Sequence, residues 1–234
     1  MKILQKGFNY SQDGPGNRLV YHLQGCNFAC AWCSNADSIP AENPMAKNCS
    51  VNEIFDEILR SRMMFFDGGG VTFTGGEICV QAQELSELLQ MVSEKGIHTA
   101  VETNCSLPAI RELSQHIDYL IADFKHYDDA VHKKWIGVSN RGVKENVEFF
   151  LSQGRQIHIR IPVIGGINDN PEGFAEYFSA FNTQNAVFEF LAYHEFGKDK
   201  WKGKYRIENG FLTPGTINKF KEVFEKHGLK TVST

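Results

Sequence analysis

Residues 25–34 read Gly25-Cys26-Asn27-Phe28-Ala29-Cys30-Ala31-Trp32-Cys33-Ser34 and set three thiols within eight residues. A closed structural zinc site takes four protein ligands, and an iron–sulfur cubane kept for electron transfer is usually held by four thiolates. Three thiolates leave one iron without a protein ligand, open to bind a small molecule and act on it. The loop follows directly on Leu19-Val20-Tyr21-His22-Leu23, a run of strand character. The carboxyl end of a strand is where α/β barrels keep their chemistry. The other reading of the trio is a zinc knuckle completed by His22 or Cys49. Zinc motifs more often open with a two-residue gap, whereas the first gap here is three.

Hydrophobic residues make up 42% and charged residues 22% of the 234, an ordinary balance for a globular chain. A net charge of -4 with no basic stripe argues against a general affinity for nucleic acid or anionic membrane. Met1–Lys6 lacks the apolar core of a secretory signal, and no run approaches the roughly 20 apolar residues of a membrane span. The expected compartment is the reducing cytoplasm, where clustered thiols are available to a metal. Cys49, Cys79 and Cys105 read as small buried apolar residues.

Outward from the cysteine loop the chain alternates strand and helix. Lys2 to Tyr10 reads as an opening strand, and Asp13-Gly14-Pro15-Gly16 as a turn. Residues 35–49 read as an irregular loop. Ser50 with Glu53 forms a capping-box pattern ahead of a helix to about Met64. Strands are expected at Val71–Thr74, His98–Val101, Tyr119–Ala122, Ile157–Val163 and Val187–Leu191. Helices are expected around Leu85–Val92, at Pro108–Gln115, Gly142–Ser152 and Pro171–Phe181, and at Pro214–His227 with Pro214 in its first turn. Such alternation gives a parallel sheet with right-handed crossovers, closed or partly closed into a barrel, and one domain over residues 1–234.

The carboxyl ends of these strands carry Gly75-Gly76-Glu77, Glu102-Thr103-Asn104, Asp123 with Lys125, Arg160 and Tyr193-His194-Glu195. Any one of them fits a turn or a surface pair. Together they match the way barrel enzymes draw their residues from several strand ends.

These motifs resemble the radical S-adenosylmethionine (SAM) superfamily, whose signature is Cys-x3-Cys-x2-Cys with an aromatic residue, here Trp32, before the last cysteine. Within it the chain is similar to the glycyl radical enzyme activating enzymes. The similarity rests on Asp13-Gly14-Pro15-Gly16-Asn17-Arg18, Gly68 through Glu77, Asp123-Phe124-Lys125, Gly137-Val138-Ser139-Asn140 and Tyr193 through Lys198. The resemblance implies a partial (β/α)6 TIM-type barrel of α/β class with outer helices. It implies a [4Fe-4S] cluster on Cys26, Cys30 and Cys33, and SAM held by Trp32, Gly75, Gly76, Glu77, Glu102, Asn104, Lys125, Arg160 and His194. Glu102, Thr103, the Ile121 carbonyl and Asp123 stand where the family forms a monovalent-cation site, for Na+ or K+.

The implied activity is reductive cleavage of SAM to a 5′-deoxyadenosyl radical that takes a Cα hydrogen from a glycine of a partner glycyl radical enzyme. A flavodoxin or ferredoxin supplies the electron, and the activator is a monomer. Three departures bear on the site and the partner. The branch serving pyruvate formate-lyase carries aspartate where Glu102 stands, and histidine where Ser34 stands. The dehydratase branch shares Cys33-Ser34-Asn35 but usually carries a ferredoxin-like insertion, for which residues 35–49 offer only Cys49. Two other functions stay open on the sequence: a radical SAM enzyme acting on a small molecule or another peptide, and a zinc-binding interaction module.

Overall fold

The computed structural model describes residues 1–232, in two compact units. The first takes in Met1–Asn27, Asp37–Thr103 and Leu107–Ile121; the second takes in Phe28–Ala36, Asn104–Ser106 and the chain from Ala122 onward. The expectation of one domain over 1–234 thus extends two residues past those described.

In the first unit β1 (Lys2–Tyr10) pairs antiparallel with β2 (Asn17–Leu23), and the two-residue β3 (Lys47–Asn48) lies on the other side of β1. β4 (Gly70–Gly75) adds parallel to β2, and β5 (His98–Thr103) parallel to β4. Next in order comes β6 (Tyr119–Asp123), whose last two residues belong to the second unit. That unit continues from β6 through β7 (Ile157–Val163) and β8 (Ala186–Ala192) to β9 (Thr231–Val232), with β7, β8 and β9 parallel. The result is the mostly parallel α/β sheet expected from the alternation.

Helices α1 (Val51–Arg60), α2 (Ala82–Glu94) and α3 (Ala109–Leu113) belong to the first unit. Helix α2 forms because Leu85, Leu88, Leu89 and Val92 recur at helical spacing, and all four are buried. Helices α4 (Asp129–Ile136), α5 (Arg141–Ser152), α6 (Glu172–Ser179) and α7 (Thr216–Lys226) belong to the second. Its core is aromatic: Phe124 packs on Phe178, Phe178 on Phe188 and Phe188 on Phe224, with ring centroids 4.8, 4.8 and 5.1 Å apart. Each such ring contributes on the order of 2 kcal/mol by burial.

The turn before β2 has a structural task. Arg18 is fully buried, and its guanidinium donates to the Thr72 hydroxyl at 2.7 Å and to the carbonyls of Pro15, Val71 and His98 at 2.9, 2.7 and 3.3 Å. It thereby ties the start of β2 to the first residues of β4 and β5.

Several local expectations are corrected. Helix α4 was not anticipated: its apolar stripe is thin, and it stands on an Asp128 cap to the Val131 N–H and a stop at the left-handed Gly137. Helix α1 ends at Arg60, and a separate 3-10 turn covers Arg62–Met64. The segment read as loop contains a 3-10 turn at Ala36–Ser38 as well as β3. Helix α7 starts at Thr216 behind a left-handed Gly215, so Pro214 precedes the helix and is not in its first turn. Cys79 and Cys105 are buried as expected, but Cys49 is only partly so. No helix among the described residues is long and apolar enough to cross a membrane.

Candidate active site

The first unit carries β2 into the cysteine loop. The N–H groups of Gly25 and Cys26 donate to the carbonyls of Ser38 and Ile39 at 2.8 and 3.1 Å. Gly75-Gly76-Glu77, at the end of β4, docks on the same segment: the Gly76 N–H donates to the Leu23 carbonyl at 2.9 Å and the Glu77 N–H to the Gly25 carbonyl at 2.8 Å. A Cβ on Gly76 would stand 2.1 Å from the Gly25 oxygen, and Gly75 has a φ of +113°. The glycine pair is therefore required by the approach of one backbone to another, one residue before Cys26.

Glu77 is fully buried, and its Oε1 accepts from the Thr103 hydroxyl at 2.7 Å and the Cys79 N–H at 3.0 Å. Glu102, half-buried, accepts from the Thr74 hydroxyl at 2.9 Å. Glu77 and Thr103, proposed from sequence for different ligands, thus meet directly. The Ile121 residue lies fully buried in β6.

In the second unit the loop is fixed by backbone bonds to α4. Ala29 and Ala31 donate their N–H groups to the carbonyls of Ile136 and Trp135 at 3.0 and 2.9 Å, and the Phe28 ring meets His132 edge-on at 5.4 Å. The Cys33 N–H donates to the Cys30 carbonyl at 3.1 Å, and the Trp201 indole N–H to the Cys33 carbonyl at 3.1 Å. Cys30 and Trp32 are buried, Cys26 and Cys33 partly so, and none of the six cysteines is in a disulfide.

Lys125 ion-pairs with Asp123 at 3.0 Å, its side chain 12% exposed. Burial pulls its ammonium down, but Asp123, Cys30 and Cys33 outweigh that and hold it above the ordinary lysine value. A cation whose charge reaches two sulfurs of the loop favours their thiolate form, the form that ligates metal. The thiols of Cys30 and Cys33 with this neighbouring charge have the chemistry that thiolate ligation of an iron–sulfur cluster requires.

Arg160 bonds Glu189 at 2.6 Å, both buried, and His158 lies 3.0 Å from the same carboxylate. Glu189 was missed by sequence reading. Its signal was a lone carboxylate in an apolar strand, which the parallel register sets opposite Arg160. Asn104 is buried and accepts from the Ser106 N–H and hydroxyl at 3.0 and 2.7 Å. His194 is exposed and stacks on Phe196 at 4.5 Å.

Comparison with known proteins agrees over most of the chain. A model of the radical SAM superfamily matches residues 20–178. The pyruvate formate-lyase 1-activating enzyme of Escherichia coli strain K12 is 30% identical over 233 residues, covering 94% of this chain and 93% of that enzyme. The pyruvate formate-lyase-activating enzyme of Staphylococcus epidermidis is 32% identical over 211 residues, covering 84% of both. The crystal structure of Streptococcus suis SuiB bound to S-adenosylmethionine is similar with a TM-score of 0.70 at 17% identity, covering 92% of this chain and 49% of that one, a likeness of fold. The fold class is the one expected, the α/β, partial (β/α)6 class of the radical SAM proteins. The chain belongs to the radical SAM superfamily and, within it, to the family of the pyruvate formate-lyase-activating enzymes.

Proposed function

We propose that this chain activates a glycyl radical enzyme by abstracting a glycine Cα hydrogen from it. The observation that carries the reading is the Cys26/Cys30/Cys33 loop in a chain similar to pyruvate formate-lyase-activating enzymes over 94% of its length. Cys26, Cys30 and Cys33 would hold a [4Fe-4S] cluster, which when bound and reduced would supply the electron for cleavage of the SAM sulfonium to methionine and a 5′-deoxyadenosyl radical.

The chain's own residues bind, orient and exclude. Glu77, its Oε1 held by Thr103 and Cys79, presents a pre-oriented carboxylate to the SAM ammonium, beside the Gly75-Gly76 backbone. Lys125 offers a donor to the SAM carboxylate, Arg160 is aimed by Glu189, and Trp32, Asn104 and His194 contact the rest of the ligand. Glu102, Thr103, the Ile121 carbonyl and Asp123 are the residues that would hold a Na+ or K+ ion, with Glu102 standing where the relatives' aspartate would be. The protein works as a cytoplasmic monomer under anaerobic conditions, with a flavodoxin or ferredoxin as donor. Family membership sets the zinc-binding interaction module aside.

Anaerobically reconstituted protein, reduced and mixed with SAM and pyruvate formate-lyase or a dehydratase-type partner, is expected to give a glycyl doublet by electron paramagnetic resonance. The Cys30→Ala variant should lose both the broad absorbance of the cluster and the doublet. Deoxyadenosine without a doublet on any partner would move the substrate to a small molecule or another peptide, and no deoxyadenosine at all would end the reading.

A further inference from the structure

Taking the activase reading as its premise, we propose that the strip Lys198–Arg206, together with the end of α4, is the docking surface for an acidic, low-potential electron-carrier protein. The chain as a whole carries a net charge of -4, yet this strip holds five basic residues and one acidic one. The side chains of Lys200, Lys202, Lys204 and Arg206 are exposed.

Three bonds tie the strip to the cysteine loop and its support. The Trp201 indole donates to the Cys33 carbonyl at 3.1 Å, Lys200 donates to the Asn35 side chain at 3.1 Å, and Arg206 donates to the Lys134 carbonyl at 2.6 Å. Gly197 allows the close approach, since a Cβ there would stand 2.3 Å from the Ser34 oxygen. Lys134 and Arg206 both lie over the Trp135 ring, at 5.1 and 5.5 Å from its centroid, which carries the positive surface onto α4.

The chemistry calls for such a surface. The proposed reaction consumes one electron per SAM, which leaves the carrier, oxidising it by one electron, and enters the cluster, reducing it by one. No bond in this chain forms or breaks. Transfer needs the carrier close to a cluster ligand, and positive charge concentrated beside Cys33 steers an anionic partner to that spot in a chain that otherwise repels it. Lys202 and Lys204 are exposed and stand outside the proposed SAM and cluster residues, so their charge can be changed without altering that set.

The test uses the reconstituted holoenzyme with photoreduced flavodoxin as the probe. Reversing both charges, Lys202→Glu with Lys204→Glu, should weaken flavodoxin binding and slow its reduction of the cluster on the order of tenfold at low salt. High salt should erase the difference. The Lys202→Arg, Lys204→Arg pair should retain both affinity and rate, and reduction by dithionite should be the same in every variant. Unchanged affinity and rate in the charge-reversed protein would overturn the proposal. So would normal reduction by flavodoxin with loss of the glycyl doublet, which assigns the strip to the glycyl radical enzyme instead. Failure of the unaltered protein to cleave SAM under dithionite would instead overturn the activase premise and the docking surface with it.

Discussion

Arg18 is a fully buried cation and Lys125 a largely buried one, and the protein keeps each one charged in a different way. Around Arg18 every hydrogen bond goes to a neutral acceptor: one hydroxyl and three carbonyls. Burial lowers its pKa to about 10, with Asp118 and Asp13 pulling the other way, so it stays charged at neutral pH. Around Lys125 the compensation comes from ionisable groups, Asp123, Cys30 and Cys33, which leave it held above its ordinary value. A cation solvated by backbone is a structural tie, because removing it leaves buried acceptors short of a donor. A cation balanced by groups that themselves change charge is tuned to a ligand, because whatever binds there enters the same balance.

The largest effect should come from breaking the first arrangement. Arg18→Met leaves the carbonyls of Pro15 and Val71 and the Thr72 hydroxyl short of a donor, and should cost about 3–5 kcal/mol of stability. Thermal unfolding would show it as a large drop in melting temperature, while cluster content per folded molecule stays normal. Arg18→Lys should recover little, since an ammonium cannot span the same acceptors. An unchanged melting temperature would erase the distinction between the two cations.

Lys125→Met should behave in the opposite sense. With the charge beside Cys30 and Cys33 gone, SAM cleavage is expected to fall on the order of 10²–10³-fold, the scale of losing one preorganised electrostatic contact. The melting temperature should move little, because Asp123 is partly exposed and can turn to water. Deoxyadenosine formation under dithionite and calorimetry on the same sample separate rate from stability. A large loss of stability with normal cleavage would place Lys125 with Arg18.

His126 shows the third outcome for a buried base, which is to give up its charge. Burial pushes its pKa down to about 4, with Asp128 opposing only in part, and its Nδ1 accepts from the Asp128 N–H at 2.8 Å, which a protonated ring could not do. The folded state therefore resists protonation while the unfolded chain accepts a proton near pH 6.5. Stability is fully present above about 6.5 and should fall by up to about 3 kcal/mol as the pH drops toward about 4. His132 and His98, lowered first by burial, act in the same direction. Denaturant unfolding of the cluster-free chain across that window should show the slope, and His126→Gln should flatten it.

The sequence declares those parts that repeat locally. Both β1 and β7 were read to the residue, and α2 through its four apolar positions, because a period of two or 3.6 is written in neighbouring residues. The cysteine loop, Gly75-Gly76-Glu77 and the Asp123–Lys125 pair were legible as motifs. What stayed hidden depends on register or on distant segments. Glu189 acquires meaning only when β8 is laid beside β7, and Trp201 reaches Cys33 across 168 positions of chain. Helix α4 was hidden for a different reason: its signals are a cap and a stop, with Val131, His132, Trp135 and Ile136 giving too narrow a stripe to dominate.

The smallest expected effect marks the exposed limit of the same comparison. At the start of α1 the Ser50 hydroxyl accepts from the Glu53 N–H at 3.2 Å, and the Glu53 carboxylate accepts from the Ser50 N–H at 2.7 Å. Those bonds to Ser50 hold the Glu53 carboxyl below its usual value, the same kind of compensation by neutral groups that acts at Arg18. Water, however, serves these groups nearly as well once the pair is broken, so the site has little to lose. Ser50→Ala should cost about 1 kcal/mol, visible in denaturant unfolding and absent from SAM cleavage. A loss as large as that of Arg18→Met would mean that a hydrogen bond's strength here follows its geometry alone; a loss several-fold smaller ties the strength of the buried contacts to the exclusion of water.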